Sequence, residues 1–93
     1  MAQFLTRVEL HMANAEDYQR LHEAMETRRF SRTIVDNKGV RYHLPTAEYY
    51  SFGEIDANSV ADLAKGAVAA IGKTGAVITA NFVDARWNGL LPV

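Results

Sequence analysis

Phe4-Leu5-Thr6-Arg7-Val8-Glu9-Leu10-His11-Met12 is the stretch whose reading decides the fold. Its residues alternate: Phe4, Thr6, Val8, Leu10 and Met12 fall on one side, Leu5, Arg7, Glu9 and His11 on the other. Successive side chains of a β-strand point to opposite faces, so this pattern predicts a strand with one core face and one open face. A sheet built around such a strand is covered on one side only.

Reading outward from that strand, Asn14 is a helix N-cap, and Glu16 and Asp17 occupy the first turn, where the helix dipole favours acids. Ala15, Tyr18, Leu21 and Met25 supply an apolar stripe at helical spacing, and Arg28 and Arg29 close the helix as last-turn cations. Phe30 to Asp36 is rich in β-branched residues. Asn37-Lys38-Gly39 is a turn, so Val40 to Leu44 returns antiparallel as a hairpin. Pro45 interrupts the second arm with a bend or bulge at Pro45-Thr46, after which Glu48 to Glu54 resumes the extended pattern. Asp56 or Asn58 caps a second helix with Val60, Leu63, Ala64, Ala67, Val68 and Ile71 as its buried stripe, ended by Gly72-Lys73-Thr74-Gly75. Ala76 to Asp84 forms the last strand. The order β-α-β-β-α-β, joined by right-handed crossovers, predicts an α+β, ferredoxin-like domain: a four-stranded antiparallel sheet of order 4-1-3-2 with two helices on one face.

The chain has 93 residues, 48% of them hydrophobic and 23% charged. That is one domain spanning residues 1–93, with 85–93 as an apolar C-terminal tail. A chain this short buries roughly 60 to 65% of its unfolded surface, too little to enclose a deep substrate cavity, so function belongs on a face, groove or interface. Ten Lys and Arg against 11 Asp and Glu give a net charge of −1, which demands no polyanionic partner. The absence of cysteine excludes disulfides, thiolate zinc sites and cysteine nucleophiles. No leader-like start and no long apolar run is present, so a soluble, cytoplasmic protein without membrane contact is expected.

Gly72-Lys73-Thr74 looks like the end of a phosphate-binding loop, but Ala67 stands where that motif needs glycine, and a helix ends here rather than begins. Tyr49, Tyr50 and Phe52 are candidates for a base-stacking platform. Alternation sends Tyr50 and Phe52 to one face and Tyr49 to the other, so at least one of the three belongs to the core. The polar set is more informative. Arg7, Glu9 and His11 lie on the open face of a central strand, and Arg41 and His43 alternate similarly on the strand expected beside it. Metal-independent RNA cleavage needs such groups: a base for the 2′-hydroxyl, an acid for the leaving oxygen and a cation for the phosphorane. In this scheme His11 and His43 act as acid and base, Glu9 orients one histidine, and Arg7 and Arg41 hold phosphate beside Tyr50. The structural alternative is a solvated or dimer-buried face with cross-strand Glu–Arg pairs. His22, at the edge of the first helix stripe, reads alone as a boundary residue. No metal or other cofactor is expected.

The run Phe30-Ser31-Arg32-Thr33-Ile34, followed after the glycine turn by Tyr42-His43-Leu44-Pro45-Thr46-Ala47-Glu48-Tyr49, resembles a family of short bacterial and prophage proteins. These are grouped with the GhoS-type antitoxins, the endoribonuclease antitoxins of type V toxin–antitoxin systems. The likeness spans nearly the whole chain. It implies a ferredoxin-like fold similar to the small subunit of the CRISPR spacer-acquisition complex. It also implies sequence-selective cleavage of the messenger RNA of a small membrane-damaging toxin. Arg20-Leu21-His22 falls where GhoS has a basic-Leu-basic stretch linked to activity, which adds Arg20 as an RNA-binding residue and His22 as a catalytic one.

The competing expectation is a non-enzymatic, phage-derived interaction protein that binds a host defence protein through the same open face. Either reading includes a homodimer, since one sheet face is left uncovered and the tail carries Trp87, Leu90 and Leu91 as interface residues.

Overall fold

The computed structural model describes all residues from Met1 to Val93. Its elements are β1 (Ala2–Leu10), α1 (Ala15–Thr27), β2 (Thr33–Val35), β3 (Arg41–His43), β4 (Glu48–Gly53), α2 (Ala57–Ala70) and β5 (Gly75–Phe82). The fold is α+β. A three-stranded antiparallel sheet of order β4-β1-β5 forms the body, and β2 and β3 pair separately as a two-stranded sheet.

β1 alternates as its sequence requires. Phe4, Thr6, Val8 and Leu10 are buried, and Arg7 and Glu9 are exposed. The buried side meets Leu21 and Met25 of α1 and Val60, Ala64, Ala67 and Val68 of α2, so both helices cover one face and the other stays open. α1 starts on a reciprocal cap: the Asn14 side chain accepts from the Asp17 N–H, and the Asp17 carboxylate accepts from the Asn14 N–H. Asp56, rather than Asn58, caps α2. The alanines of α2 bring it close to the sheet, where Leu63 is turned outward and exposed. Gly75 marks an even closer approach, because a β-carbon there would lie 2.5 Å from the Glu9 carbonyl oxygen.

Several expectations are corrected. β1 ends at Leu10, and Met12 takes a φ of 49° and is 97% exposed, so it is no part of the core face. α1 ends at Thr27, leaving Arg28 as its C-cap and no cation in the last turn. The largest correction concerns the middle of the chain. Glu48–Gly53 does not prolong the hairpin arm. It is a strand of its own, paired along β1 from Ala2↔Gly53 to Arg7↔Glu48. Pro45, which has no N–H, accepts from Glu48 in a tight turn, and Ala47 adopts a φ of 63°. The turn redirects the chain, so the hairpin stands off the sheet. The fourth strand is reduced to one bridge, in which Ser31 and Tyr50 exchange backbone hydrogen bonds of 2.8 and 2.7 Å.

The tail folds back on the hairpin. The His43 N–H donates to the Leu91 carbonyl, the Val93 N–H donates to the Arg41 carbonyl, and Trp87 meets Tyr42 edge-on with ring centroids 5.7 Å apart.

Candidate nucleic-acid groove on the open sheet face

The register places three ranks of side chains on the open face. Gln3 stands between Phe52 and Phe82, Leu5 between Tyr50 and Ala80, and Arg7 between Glu48 and Ile78. Tyr50 lies 6.1 Å from Phe52 and 6.2 Å from Phe82, centroid to centroid, and donates its hydroxyl proton to Gln3 Oε1 at 2.9 Å. Partial burial pushes the Tyr50 phenol up, further from neutral pH. Phe52 is 60% exposed and Ile78 69%, so both edge strands present an apolar side chain on this face.

This aromatic cluster is one wall of a groove of about 860 Å³. The hairpin, including Ile34, Arg41 and Tyr42, and the segment from Val83 to Leu90 make the other side. Arg41 and Arg86 bring cations to the groove, and Asp36 and Asp84 bring carboxylates. Arg41 is steadied by donating to Thr33 Oγ1 at 2.8 Å. Asp36 folds the turn by accepting from the N–H groups of Lys38 and Val40, bonds that hold its carboxyl below the ordinary range.

The expected catalytic set is divided. Arg7 and Glu9 share the open side of β1, and the exposed His11 follows the strand by one residue, its N–H donating to the Thr74 carbonyl at 2.9 Å. Arg41 and His43 do not lie beside them, because β1 is flanked by β4 and β5, whereas β3 pairs only with β2 and the tail. Arg7 reaches Glu48 at 3.9 Å across the strands, a solvent-exposed pair of small energetic weight. Glu9 makes no side-chain hydrogen bond and therefore orients no histidine. The exposed His11 ring lies 3.4 Å from Thr74 Oγ1, at the end of the sheet opposite Phe82. His43 is exposed on the hairpin.

The two helix candidates are structural in their contacts. Arg20 donates to the Ile71 carbonyl at 2.8 Å, closing the C-terminal end of α2, and approaches Asp17 at 3.4 Å. His22 is buried, with Nδ1 2.7 Å from the Tyr49 hydroxyl. Burial, followed by the nearby Arg32 charge, lowers its pKa. A ring enclosed in this way is closed to a substrate on the surface.

Trp87 and Leu90 are half-buried within their own chain, while Leu91 is exposed. Phe82, Gln3 and Arg86 were missed by sequence reasoning. Phe82 carried a legible signal, since it sits in the last predicted strand at the parity of Ile78. Gln3 and Arg86 carried none, because only the cross-strand register and the returning tail bring them to the groove.

No helix is long and apolar enough to cross a membrane. No family model and no curated protein matches the sequence.

Proposed function

We propose that the protein is a GhoS-like antitoxin that binds single-stranded toxin messenger RNA along the aromatic groove and cleaves it without metal. It has a ferredoxin-like arrangement whose outer strand has shrunk to the Ser31–Tyr50 bridge. The observation that carries the reading is the group Tyr50, Phe52 and Phe82 on an uncovered sheet face, with Arg41 and Arg86 alongside. Unpaired bases stack on exposed rings regardless of sequence, and arginines beside them neutralise phosphate. A duplex keeps its bases inside and gains nothing from such rings.

Proton transfer belongs to exposed histidines, His11 or His43, with Arg7 or Arg41 facing the phosphorane charge. The test is anisotropy of labelled oligoribonucleotides at low salt, followed by cleavage with and without chelator. Single strands should bind better than duplexes, and Phe52→Ala should weaken binding by about 1–3 kcal/mol, roughly five- to 150-fold. Equal binding of both forms, or an unaffected Phe52→Ala, would remove the groove from RNA recognition.

The same face favours a second reading. Exposed Phe52, Ile78 and Val83, together with Asp36 and Asp84 and a net charge of −1, suit a phage-derived inhibitor that docks on a host defence protein. Absence of RNA binding, with the groove intact by stability, would turn the assignment to this class.

A further inference from the structure

β5 is an eight-residue strand that pairs with β1 on one side and with nothing on the other. Free edges of this length are commonly protected by an inward charge, a proline or a bulge, or by covering chain. β5 has none of these. The stretch Thr74 to Val83 contains no charged residue and no proline, and its register with β1 runs unbroken from Gly75 to Phe82. The opposite edge of the sheet, by contrast, is blocked at Tyr50 by Ser31.

We infer that β5 pairs antiparallel with β5 of a second copy, joining two three-stranded sheets into one of six strands. An antiparallel pair of identical strands is related by a twofold axis, so a charge near that axis would sit opposite or beside its own copy. An uncharged stretch avoids that penalty. The flanks add complementarity: Lys73 precedes the stretch and Asp84 follows it, and the twofold brings the lysine end of one copy to the aspartate end of the other. The axis falls at Ile78, which is 69% exposed on the open face and would cover its counterpart. The tail is not needed as an anchor, since its main chain is already engaged with β3 of its own chain.

This pairing also addresses the division of the histidine from the groove. With Ile78 on the axis, Phe82 faces the partner's Thr74, whose hydroxyl contacts the partner's His11. Phe82 lies on the open face and the exposed His11 ring lies just beyond the partner's Thr74, so the aromatic groove of one copy gains the imidazole of the other. This consequence, unlike the dimer, rests on the RNA-cleavage reading.

Sedimentation of the full chain from about 20 to 500 µM tests the dimer. The wild type should shift from monomer to dimer, and a chain ending at Arg86 should do the same. Ile78→Lys and Ile78→Glu, at an exposed position, should each weaken self-association at least tenfold, while mixing the two should restore a heterodimer. A monomeric wild type at the highest concentration, or an equally dimeric Ile78→Lys, overturns the pairing. Cleavage tests the shared site separately. A heterodimer of Ile78→Glu/His11→Ala with Ile78→Lys/Phe82→Ala should recover about half the wild-type activity, because one groove meets an intact histidine only across the axis. No recovery overturns the shared site, and no cleavage by the wild-type dimer overturns the nuclease reading while leaving the sedimentation result to stand.

Discussion

His22 and Tyr49 show how a residue chosen for its chemistry ends up serving the core. Tyr49 is fully buried, and burial pushes its phenol up to about 12, so its O–H remains available to donate to a neutral His22 ring. Because the folded His22 pKa lies below the ordinary 6.5, the unfolded chain takes up the proton more readily. The contribution of this pair is therefore complete above about pH 6.5 and is lost as pH falls from there towards the lowered folded value. Thermal melts should show the midpoint falling between pH 7 and 5, and the double variant His22→Leu/Tyr49→Phe should flatten that fall. An unchanged slope would mean that other groups govern acid stability. Ser51 presents the opposite case. Its hydroxyl is buried on the helix side of β4 without a hydrogen-bond partner, so desolvation is uncompensated. Ser51→Ala should raise the unfolding free energy by about 1 kcal/mol in a denaturant titration, and a loss of that size would reveal a bond made by the hydroxyl after all.

Among the elements, β1, α1 and α2 were legible because each carries its own periodicity and cap. The strand has one buried and one solvated face, and the helices have stripes beginning at Asn14 and Asp56. The hairpin was legible as a hairpin but not as a detached one. Alternation says that Arg41 to His43 is extended, and it does not say which strand pairs with it. The choice is made at Pro45 and Ala47, by a missing N–H and a left-handed backbone angle whose combined direction no local pattern encodes. For the same reason the candidate site was half legible: alternation places Arg7 and Glu9 on one side of β1 with His11 just past its end, whereas Arg41 and His43, assigned across a strand boundary, lie on a separate sheet. Where β5 meets β1, packing is tight enough for a firm expectation. Gly75→Ala would drive a methyl group into the Glu9 carbonyl, with backbone on both sides unable to yield cheaply. A loss of about 1–3 kcal/mol should follow in chemical unfolding, and hydrogen exchange should rise first at the Leu10 end of β1. An unperturbed variant would show that the two strands separate more easily than their register implies.

At the scale of the molecule, the charge balance distinguishes two ways of holding RNA. A binder that works by neutralising many phosphates has a large positive surplus and loses affinity steeply as salt is added. This chain carries a net charge of −1, and the cations near the groove, Arg41 and Arg86, are accompanied by Asp36 and Asp84. On the proposed reading, such a surface offers two or three phosphate contacts at most, so affinity for RNA would come mainly from stacking on Tyr50, Phe52 and Phe82. Each phosphate neutralised on a single strand contributes about 0.7 to the slope of log K against log salt, which sets the expected slope at about −1.5 to −2. Stacking has little such dependence, so Phe52→Ala should lower affinity at every salt concentration without changing the slope. Arg41→Ala should instead reduce the slope by about 0.7 and leave binding at high salt nearly unchanged. Anisotropy titrations of one labelled oligonucleotide across a salt series measure both effects together. A slope steeper than about −4 would mean that RNA tracks some other basic surface, such as exposed Arg29 and Arg32 after α1, and would move the binding path off the sheet.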